Sequence, residues 1–150
     1  MPQSLAKNLI HLVFSTKARE RLLDPSVRPR LHDYLAGILQ DLESPALVIN
    51  SVADHVHVLL NLHRTRALSA VVMELKRGSS KWLKAQGPQF AGFHWQDGFG
   101  AFSIGQSAVD EVRRYIEQQE EHHRVKTFQD ELRAFLRRYQ LEYDERYLWD

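Results

Sequence analysis

The sequence predicts an α+β fold in which an antiparallel β-sheet carries its helices on one face. Apolar residues alternate in some segments and recur every three or four residues in others, as expected for strands and helices respectively. The segments follow one another in the order strand, helix, strand, strand, helix, strand, helix. With 150 residues and 43% hydrophobic content, the chain can form one compact core.

The first half of the chain contains the clearest strands. Residues 8–14 are rich in strand formers and run into a polar, basic segment. An Asp-Pro pair at 24–25 is a helix start signal, and apolar residues recur at helical spacing as far as a Ser-Pro pair at 44–45. Two apolar runs then follow, at 46–52 and 56–62, and the short segment between them predicts a hairpin.

The second half is mainly helical. Residues 67–85 predict an amphipathic helix with a basic outer side, and residues 99–104 predict a last strand loosened by glycine. Residues 108–123 predict a further helix. Another helical stripe starts at Thr127 and ends in an aromatic tail.

This order of elements is that of a split βαβ, or ferredoxin-like, sheet, which is also the architecture of RRM-like domains. We expect helices on one face and an open second face. A single domain is expected over 1–150, with a core at about 5–123 and a helical and aromatic C-terminal extension at about 124–150.

The composition excludes several classes of protein. The chain has 20 Lys and Arg against 19 Asp and Glu, so a nucleic-acid surface must come from local clusters rather than net charge. It has no cysteine, which excludes disulfides, thiolate metal sites and cysteine nucleophiles and fits a reducing compartment. Because no apolar run is long enough to cross a bilayer or act as a signal peptide, we expect a cytoplasmic protein without membrane contact.

The most informative motif is His55-Val56-His57 at the start of the second hairpin strand. Alternate residues of a strand share a face, so His55 and His57 point the same way and could hold one divalent metal ion. The residues at 56, 58, 60 and 62, which point the other way along the strand, form an apolar opposite face, and this predicts that the histidines lie outside the core. A His-x-His pair also occurs as two half-exposed strand residues without a ligand.

Two other families that use His-x-His fit this sequence poorly. Histidine-triad nucleotide hydrolases require a third histidine two residues further on, where this chain has Leu59. Cupin sites require further ligands on the strands of an all-β barrel, and this chain has too many helical segments.

A second motif places Tyr115 and Gln119 four residues apart on a predicted helix. They would share a face, as a potential nucleophile beside a potential third metal ligand. Arg113 and Arg114 precede the tyrosine and could hold phosphate, although both could equally lie on a solvated helix face beside glutamates. A helical tyrosine is more often a packing residue, and the chain has four other tyrosines.

Together, these motifs resemble the HUH-type single-tyrosine transposases of bacterial insertion sequences, including the repeat-associated tyrosine transposases. Segments 12–17, 54–60, 75–81 and 112–119 extend the resemblance over most of residues 8–123. The resemblance implies the HUH endonuclease fold. It also implies a DNA transposase that cuts and rejoins single-stranded hairpin DNA, found at element or repeat ends, through a 5′-phosphotyrosine at Tyr115.

The resemblance also implies a cofactor and a partner. His55, His57 and Gln119 would hold a divalent metal, with magnesium or manganese expected. Imidazole nitrogens by themselves suit manganese, zinc, cobalt or nickel better than magnesium, so the identity of the metal stays open. The family forms homodimers, and the separation of the two motifs in the sequence suggests that the tyrosine helix of one subunit serves the histidines of the other.

DNA contacts are expected from clusters of cations and small hydroxyl residues, which anchor phosphates and permit close approach. The basic helix at 67–85 is expected to lie beside the sheet site. The predicted DNA-binding residues are Lys17, Arg19, Arg21, Lys76, Arg77, Ser79, Ser80, Lys81, Arg113 and Arg114.

Two other functions remain open. The first is a binder of single-stranded DNA or RNA hairpins without catalysis, either a domesticated transposase or repressor or an RRM-like module. The second is a replication initiator or relaxase of the same superfamily, which usually has a larger chain. Because no member of the catalytic set is missing, the sequence favours the transposase.

Overall fold

The computed structural model describes residues 1–149, so the last position of the predicted extension lies outside the described residues. Four strands and six α-helices are present in this range, besides three 3-10 helices of three residues each. They are β1 Leu9–Ser15, α1 Arg28–Asp41, β2 Ala46–Ser51, β3 His55–Asn61, α2 Leu68–Lys84, β4 Gly100–Ser103, α3 Val109–Glu117, α4 Gln119–His122, α5 Phe128–Arg138 and α6 Glu145–Leu148.

The four strands form one antiparallel sheet in the order β2-β3-β1-β4. This is the ferredoxin-like order, so the predicted α+β fold is confirmed. β3 and β1 are central and pair over their whole length, with His57 opposite Val13 and Leu59 opposite His11. The His-x-His motif therefore begins a central strand, as the hairpin pattern predicted.

One face of the sheet is covered by α1 and α2. Its central strands contribute Leu12 and Val58, which are fully buried against Leu31 of α1 and Leu75 of α2. Because side chains alternate along a strand, His11, His55 and His57 point to the other face.

The second face is not open, and this part of the prediction is wrong. α3 packs against β2 and β3, and α5 lies over β1 and β4. Phe128, Leu132 and Leu136 of α5 form an apolar stripe at helical spacing, buried against Val13 and Phe102 of the sheet. Burying each of these α5 side chains stabilises the folded state by about 1.5–3 kcal/mol. This explains why the stripe packs on the sheet face instead of being exposed to solvent.

The predicted helix at 108–123 is interrupted. α3 ends at Glu117, and α4 begins at Gln119 after a residue with non-helical dihedral angles, Gln118. The Gln119 side chain donates from Nε2 to the carbonyl of Tyr115 at 3.4 Å. The change of direction turns Gln119 inwards, where it is fully buried.

Within residues 1–149, no helix combines the length and the apolar character that a membrane crossing requires.

Candidate metal and tyrosine site

The two histidines of the motif lie in the core. His55 and His57 are both fully buried. The expectation that they lie outside the core is therefore wrong, and the reason is α5, which covers their face of the sheet. Phe128 stacks on the His55 ring with centroids 4.4 Å apart.

Each histidine is oriented through its Nδ1 atom. His55 Nδ1 lies 2.7 Å from Oδ1 of Asp54, and His57 Nδ1 lies 2.8 Å from Nε2 of His11. Both Nε2 atoms consequently point towards one carboxylate oxygen, Oε1 of Glu131, at 3.4 Å from His55 and 2.9 Å from His57. This is the arrangement of metal-binding histidines, in which a partner on one ring nitrogen directs the other nitrogen to the metal.

His11 on β1 is a site residue that the sequence did not reveal. Burial, together with the neighbouring His57, lowers the pKa of His11 to about 3, so its ring is neutral at physiological pH. A neutral His11 ring can be either the hydrogen-bond donor or the acceptor towards His57 Nδ1. Which role it takes depends on whether His57 carries its proton on Nδ1 or on Nε2. His11 therefore fixes the orientation of the His57 ring.

The role of His11 predicts that His11→Phe weakens Mn²⁺ binding by about 10-fold or more, because loss of an outer partner of a metal-binding histidine has effects of that size. Phe fits the site, since His11 already packs against Phe102 and Phe135. Isothermal titration calorimetry with Mn²⁺ measures the change. The matched control is His32→Phe, because His32 bonds to Ser51 instead of a site histidine. Equal affinity in the two variants would contradict the role of His11.

Tyr115 and Gln119 meet at the same place. The Tyr115 hydroxyl donates a hydrogen bond to Oε2 of Glu131. Burial and the adjacent Glu131 carboxylate raise the pKa of the Tyr115 phenol, while a polar contact with Gln119 opposes the change. The phenol is therefore neutral in this arrangement. Gln119 Oε1 is buried and has no hydrogen-bond partner.

Glu131 and His123 were missed by the sequence reading. Glu131 Oε2 also lies 3.3 Å from Nε2 of His123, which follows α4. The signal for Glu131 was available, because it is an acidic residue within the apolar stripe of α5. His123 has no spacing motif, and only the fold brings it to the other histidines.

The charges of the cluster are strongly coupled. Burial alone would raise the pKa of Glu131, but the adjacent imidazoles of His123, His55 and His57 outweigh it and lower that pKa far below the usual range. Burial would lower the pKa of His55, but Asp54 and Glu131 together raise it. The cluster thus contains a buried carboxylate, Glu131, which requires a positive charge beside it.

The donor set fits a divalent metal ion. Ligand atoms from His55, His57, His123 and Glu131 all lie within 4.8 Å of one another. Buried polar atoms without hydrogen-bond partners support a ligand there: His55 Nε2 and His123 Nε2 belong to the cluster, and Gln119 Oε1 lies on the residue that contacts Tyr115. Of these residues, the sequence assigned His55 and Gln119 to the metal.

The structure places the histidines and the tyrosine of one chain together. The ring centroids of His57 and Tyr115 are 6.1 Å apart. The motifs are separated in the sequence but adjacent in the fold, so one chain can bring the histidines and the tyrosine together. The separation in the sequence therefore no longer argues for sharing the site between subunits, which stays a prediction from the resemblance.

The basic helix α2 does not lie beside the site. It packs on the opposite sheet face, and the expectation that it adjoins the histidines is wrong. Ser79 is buried with its hydroxyl bonded to Leu75 and Trp95, so DNA cannot reach it in this conformation. Lys76 Nζ donates to the carbonyls of Gln96 and Gly98 and holds the loop before β4.

The remaining predicted DNA-binding residues differ in their availability. On α2, Arg77 pairs with Glu74, Ser80 is half-buried and Lys81 is exposed. Beside the tyrosine, Arg113 donates to the carbonyl of Leu47, where the pairing of β2 and β3 is irregular, whereas Arg114 is exposed. Arg113 therefore has a structural partner.

A cleft of about 800 Å³ opens beside the site. Its lining includes His123 of the cluster, the cations Arg19, Arg21, Arg28 and Lys126, and the acidic residues Asp54, Glu120 and Asp130. Lys17, which is exposed, belongs to the same β1–α1 connection as the first two arginines. Ala18 and Arg19 have positive φ of 54° and 55°, and two successive non-glycine residues of this kind mark a backbone held under strain. The cleft is thus a largely basic surface that reaches the cluster at His123.

A comparison with protein families settles which family has this arrangement. A family model described as "Transposase IS200 like" matches residues 4–119, which include the His-x-His motif, Tyr115 and Gln119. The chain belongs to the IS200-like transposases. The resemblance to HUH-type single-tyrosine transposases is therefore confirmed.

Individual relatives agree with this family. The ISDra2 transposase TnpA of Deinococcus radiodurans is 25% identical over 114 residues, which cover 73% of this chain and 81% of the relative. A crystal structure of a protein assigned as a transposase from D. radiodurans has a TM-score of 0.62 at 23% identity, covering 77% of this chain and 93% of that one. The REP-associated tyrosine transposase bound to a REP hairpin has a TM-score of 0.60 at 15% identity, covering 81% and 72%. The two structures show the same fold.

Proposed function

We propose that this IS200-like transposase cuts and rejoins single-stranded hairpin DNA through a phosphotyrosine bond at Tyr115, with a divalent metal ion held by His55, His57 and Gln119. The observation that carries the proposal is the convergence of the Tyr115 hydroxyl and the two imidazole Nε2 atoms on one carboxylate. Support for hairpin DNA comes from the structural relative that binds a REP hairpin.

Manganese or magnesium is the proposed metal. Bound at these residues, the ion would supply positive charge to a nonbridging phosphate oxygen. The residues of the chain prepare for that charge: Asp54 and His11 direct the imidazoles, and Gln119 offers an unpartnered oxygen. The neutral Tyr115 phenol needs such a cation nearby, because burial beside Glu131 raises its pKa.

The proposed reaction forms one bond and breaks another. Tyr115 Oη attacks the phosphorus, the bond from phosphorus to the 3′-oxygen breaks, and the leaving oxygen becomes a 3′-hydroxyl by taking up a proton. The phenolic proton is released from Tyr115. Since the 5′-phosphotyrosine keeps the energy of the phosphodiester, a second 3′-hydroxyl can reverse the step and join new ends.

Rejoining of different ends supports a homodimer as part of the proposal. Each chain has one nucleophilic tyrosine at its site, whereas exchange of two strands requires two covalent links at once. A site assembled in cis suffices for cleavage, so a single chain would cut and a pair would exchange. Light scattering of the protein with hairpin DNA measures the oligomeric state, and a joining assay measures strand exchange. Comparing the two tests whether a single chain cuts and a pair exchanges strands.

The decisive experiment for the function is incubation of the full chain with Mn²⁺ or Mg²⁺ and a single-stranded hairpin carrying labelled flanks. The expected result is metal-dependent cleavage with a covalent protein–DNA adduct. Tight binding of the hairpin without any cleavage or adduct in either metal would instead identify a binding protein. The present geometry favours the enzyme, because the nucleophile and the histidines are in contact with the same carboxylate.

The cleft predicts which cations contact the strand that enters the site. Arg21→Ala with Lys126→Ala should reduce the slope of log affinity against log salt concentration by about 1.4, because each lost contact to a single-stranded phosphate removes about 0.7. Both side chains are exposed and line the cleft. Fluorescence anisotropy over a range of salt concentrations measures the slope.

The matched control for this double variant is Lys81→Ala, an exposed cation on the opposite face of the sheet. It should leave the salt slope unchanged. A larger effect of Lys81→Ala than of the double variant would show that DNA contacts α2, as the sequence had suggested, and would contradict binding in the cleft.

A further inference from the structure

Glu131 is supplied to the site by the C-terminal extension. It lies on α5, beyond residues 4–119 that the family model matches. Its side chain is 1% exposed. The extension thus adds a buried carboxylate to a histidine and tyrosine arrangement that the family segment already contains.

The surroundings of this carboxylate lack a permanent cation. Among residues 1–149, the groups in polar contact with Glu131 are the imidazoles of His55, His57 and His123 and the hydroxyl of Tyr115. No lysine or arginine pairs with it in this part of the chain. A fully buried carboxylate is costly unless a positive charge compensates it, and here that charge must come from a proton on an imidazole or from a bound cation.

We propose that Glu131 is an anionic ligand of the divalent metal, added to His55 and His57 by the C-terminal extension. This rests on the proposed metal-dependent function. Two ligands bound about 2.1 Å from one ion lie roughly 3.0–3.4 Å apart, for bond angles between those of octahedral and tetrahedral sites. Glu131 Oε1 lies 2.9 Å from His57 Nε2 and 3.4 Å from His55 Nε2.

An unpartnered atom supports the same assignment. His55 is fully buried, and its Nε2 atom has no hydrogen-bond partner although it lies near Glu131 Oε1. An imidazole nitrogen of this kind, facing a carboxylate oxygen at 3.4 Å, is satisfied when both atoms bind one cation. The carboxylate gives the site a charge of −1, which increases its attraction for a divalent ion relative to neutral ligands alone.

The competing interpretation is that Glu131 only occupies the place of the substrate phosphate. The two interpretations predict opposite results. Removal of a ligand weakens metal binding, whereas removal of an occupant leaves metal binding unchanged or strengthens it and accelerates cleavage.

The experiment compares Mn²⁺ affinity in the full-length wild type and Glu131→Gln, a substitution that keeps the shape and removes the charge. Calorimetry and the electron paramagnetic resonance signal of free Mn²⁺ report the affinity independently of activity. Glu131→Gln should weaken binding by about 10–100-fold. The matched control Glu121→Gln changes an exposed carboxylate near the same segment and should have no effect. An affinity of Glu131→Gln within twofold of wild type, or faster cleavage by this variant, would overturn the proposal.

A second measurement needs no substitution. Because a ligand on α5 ties that helix to β3, Mn²⁺ should slow amide hydrogen exchange within Phe128–Arg138 of the wild type by about 10-fold or more. Exchange there that stays unchanged under saturating Mn²⁺ would contradict the ligand role even if Glu131→Gln fails to fold.

The outcome is separable from that of the proposed function. A wild type that binds Mn²⁺ through Glu131 but never cleaves hairpin DNA would contradict the transposase reaction and leave the ligand in place. A wild type that cleaves, with a Glu131→Gln variant of full metal affinity, would contradict the ligand alone.

Discussion

Tyr115→Phe is expected to bind hairpin DNA as tightly as the wild type and to form no covalent adduct. The substitution removes only the hydroxyl, and within residues 1–149 this is the one phenolic oxygen that hydrogen-bonds to Glu131. Because the nucleophile has no substitute at this place, cleavage should fall by at least about 10³-fold. Denaturing gel electrophoresis of the labelled adduct measures it directly.

The structure also gives matched controls for the tyrosine. Tyr139 stacks on Phe102 with centroids 4.8 Å apart, and Tyr143 is exposed on the segment before α6. Tyr139→Phe and Tyr143→Phe should therefore retain the adduct. A phosphotyrosyl peptide that mass spectrometry maps to any position other than 115 would disprove the assignment.

The second large effect is expected for His57→Ala, which should abolish both tight Mn²⁺ binding and cleavage. His57 joins three parts of the site, since Nδ1 bonds to His11 on β1 and Nε2 to Glu131 on α5. His57 is completely buried, so His57→Ala should also lower the free energy of unfolding by about 2–5 kcal/mol. Part of this loss arises because Glu131 keeps its charge and loses a partner. Cleavage assays, metal titration and urea unfolding are the measurements.

Loss of folding must be separated from loss of metal. His57→Gln retains a polar side chain and should unfold less readily than His57→Ala while remaining inactive. His63→Ala is the control, because His63 is only partly buried and bonds to Thr65 and Glu43 away from the site. Full cleavage by His57→Gln in the presence of a chelator would disprove a metal role for this histidine.

Local patterns in the sequence determined the order and type of the elements. The alternation around His55 and His57 predicted a strand with both imidazoles on one face, and the sheet has them on the central β3. The four-residue spacing of Tyr115 and Gln119 predicted that they share a face, and the Gln119 side chain contacts Tyr115 despite the break at Gln118. These predictions succeeded because strand and helix periods act between near neighbours in the chain.

Only the tertiary structure decided what covers the histidines and what completes their site. His11, His123 and Glu131 come from β1, the end of α4 and α5, and they meet His57 across separations of 46 to 74 residues. No local period encodes such contacts. They exist because the apolar stripe of α5 is buried on the sheet face that the sequence predicted to be open. The same packing brings Glu131 of α5 to the buried imidazoles.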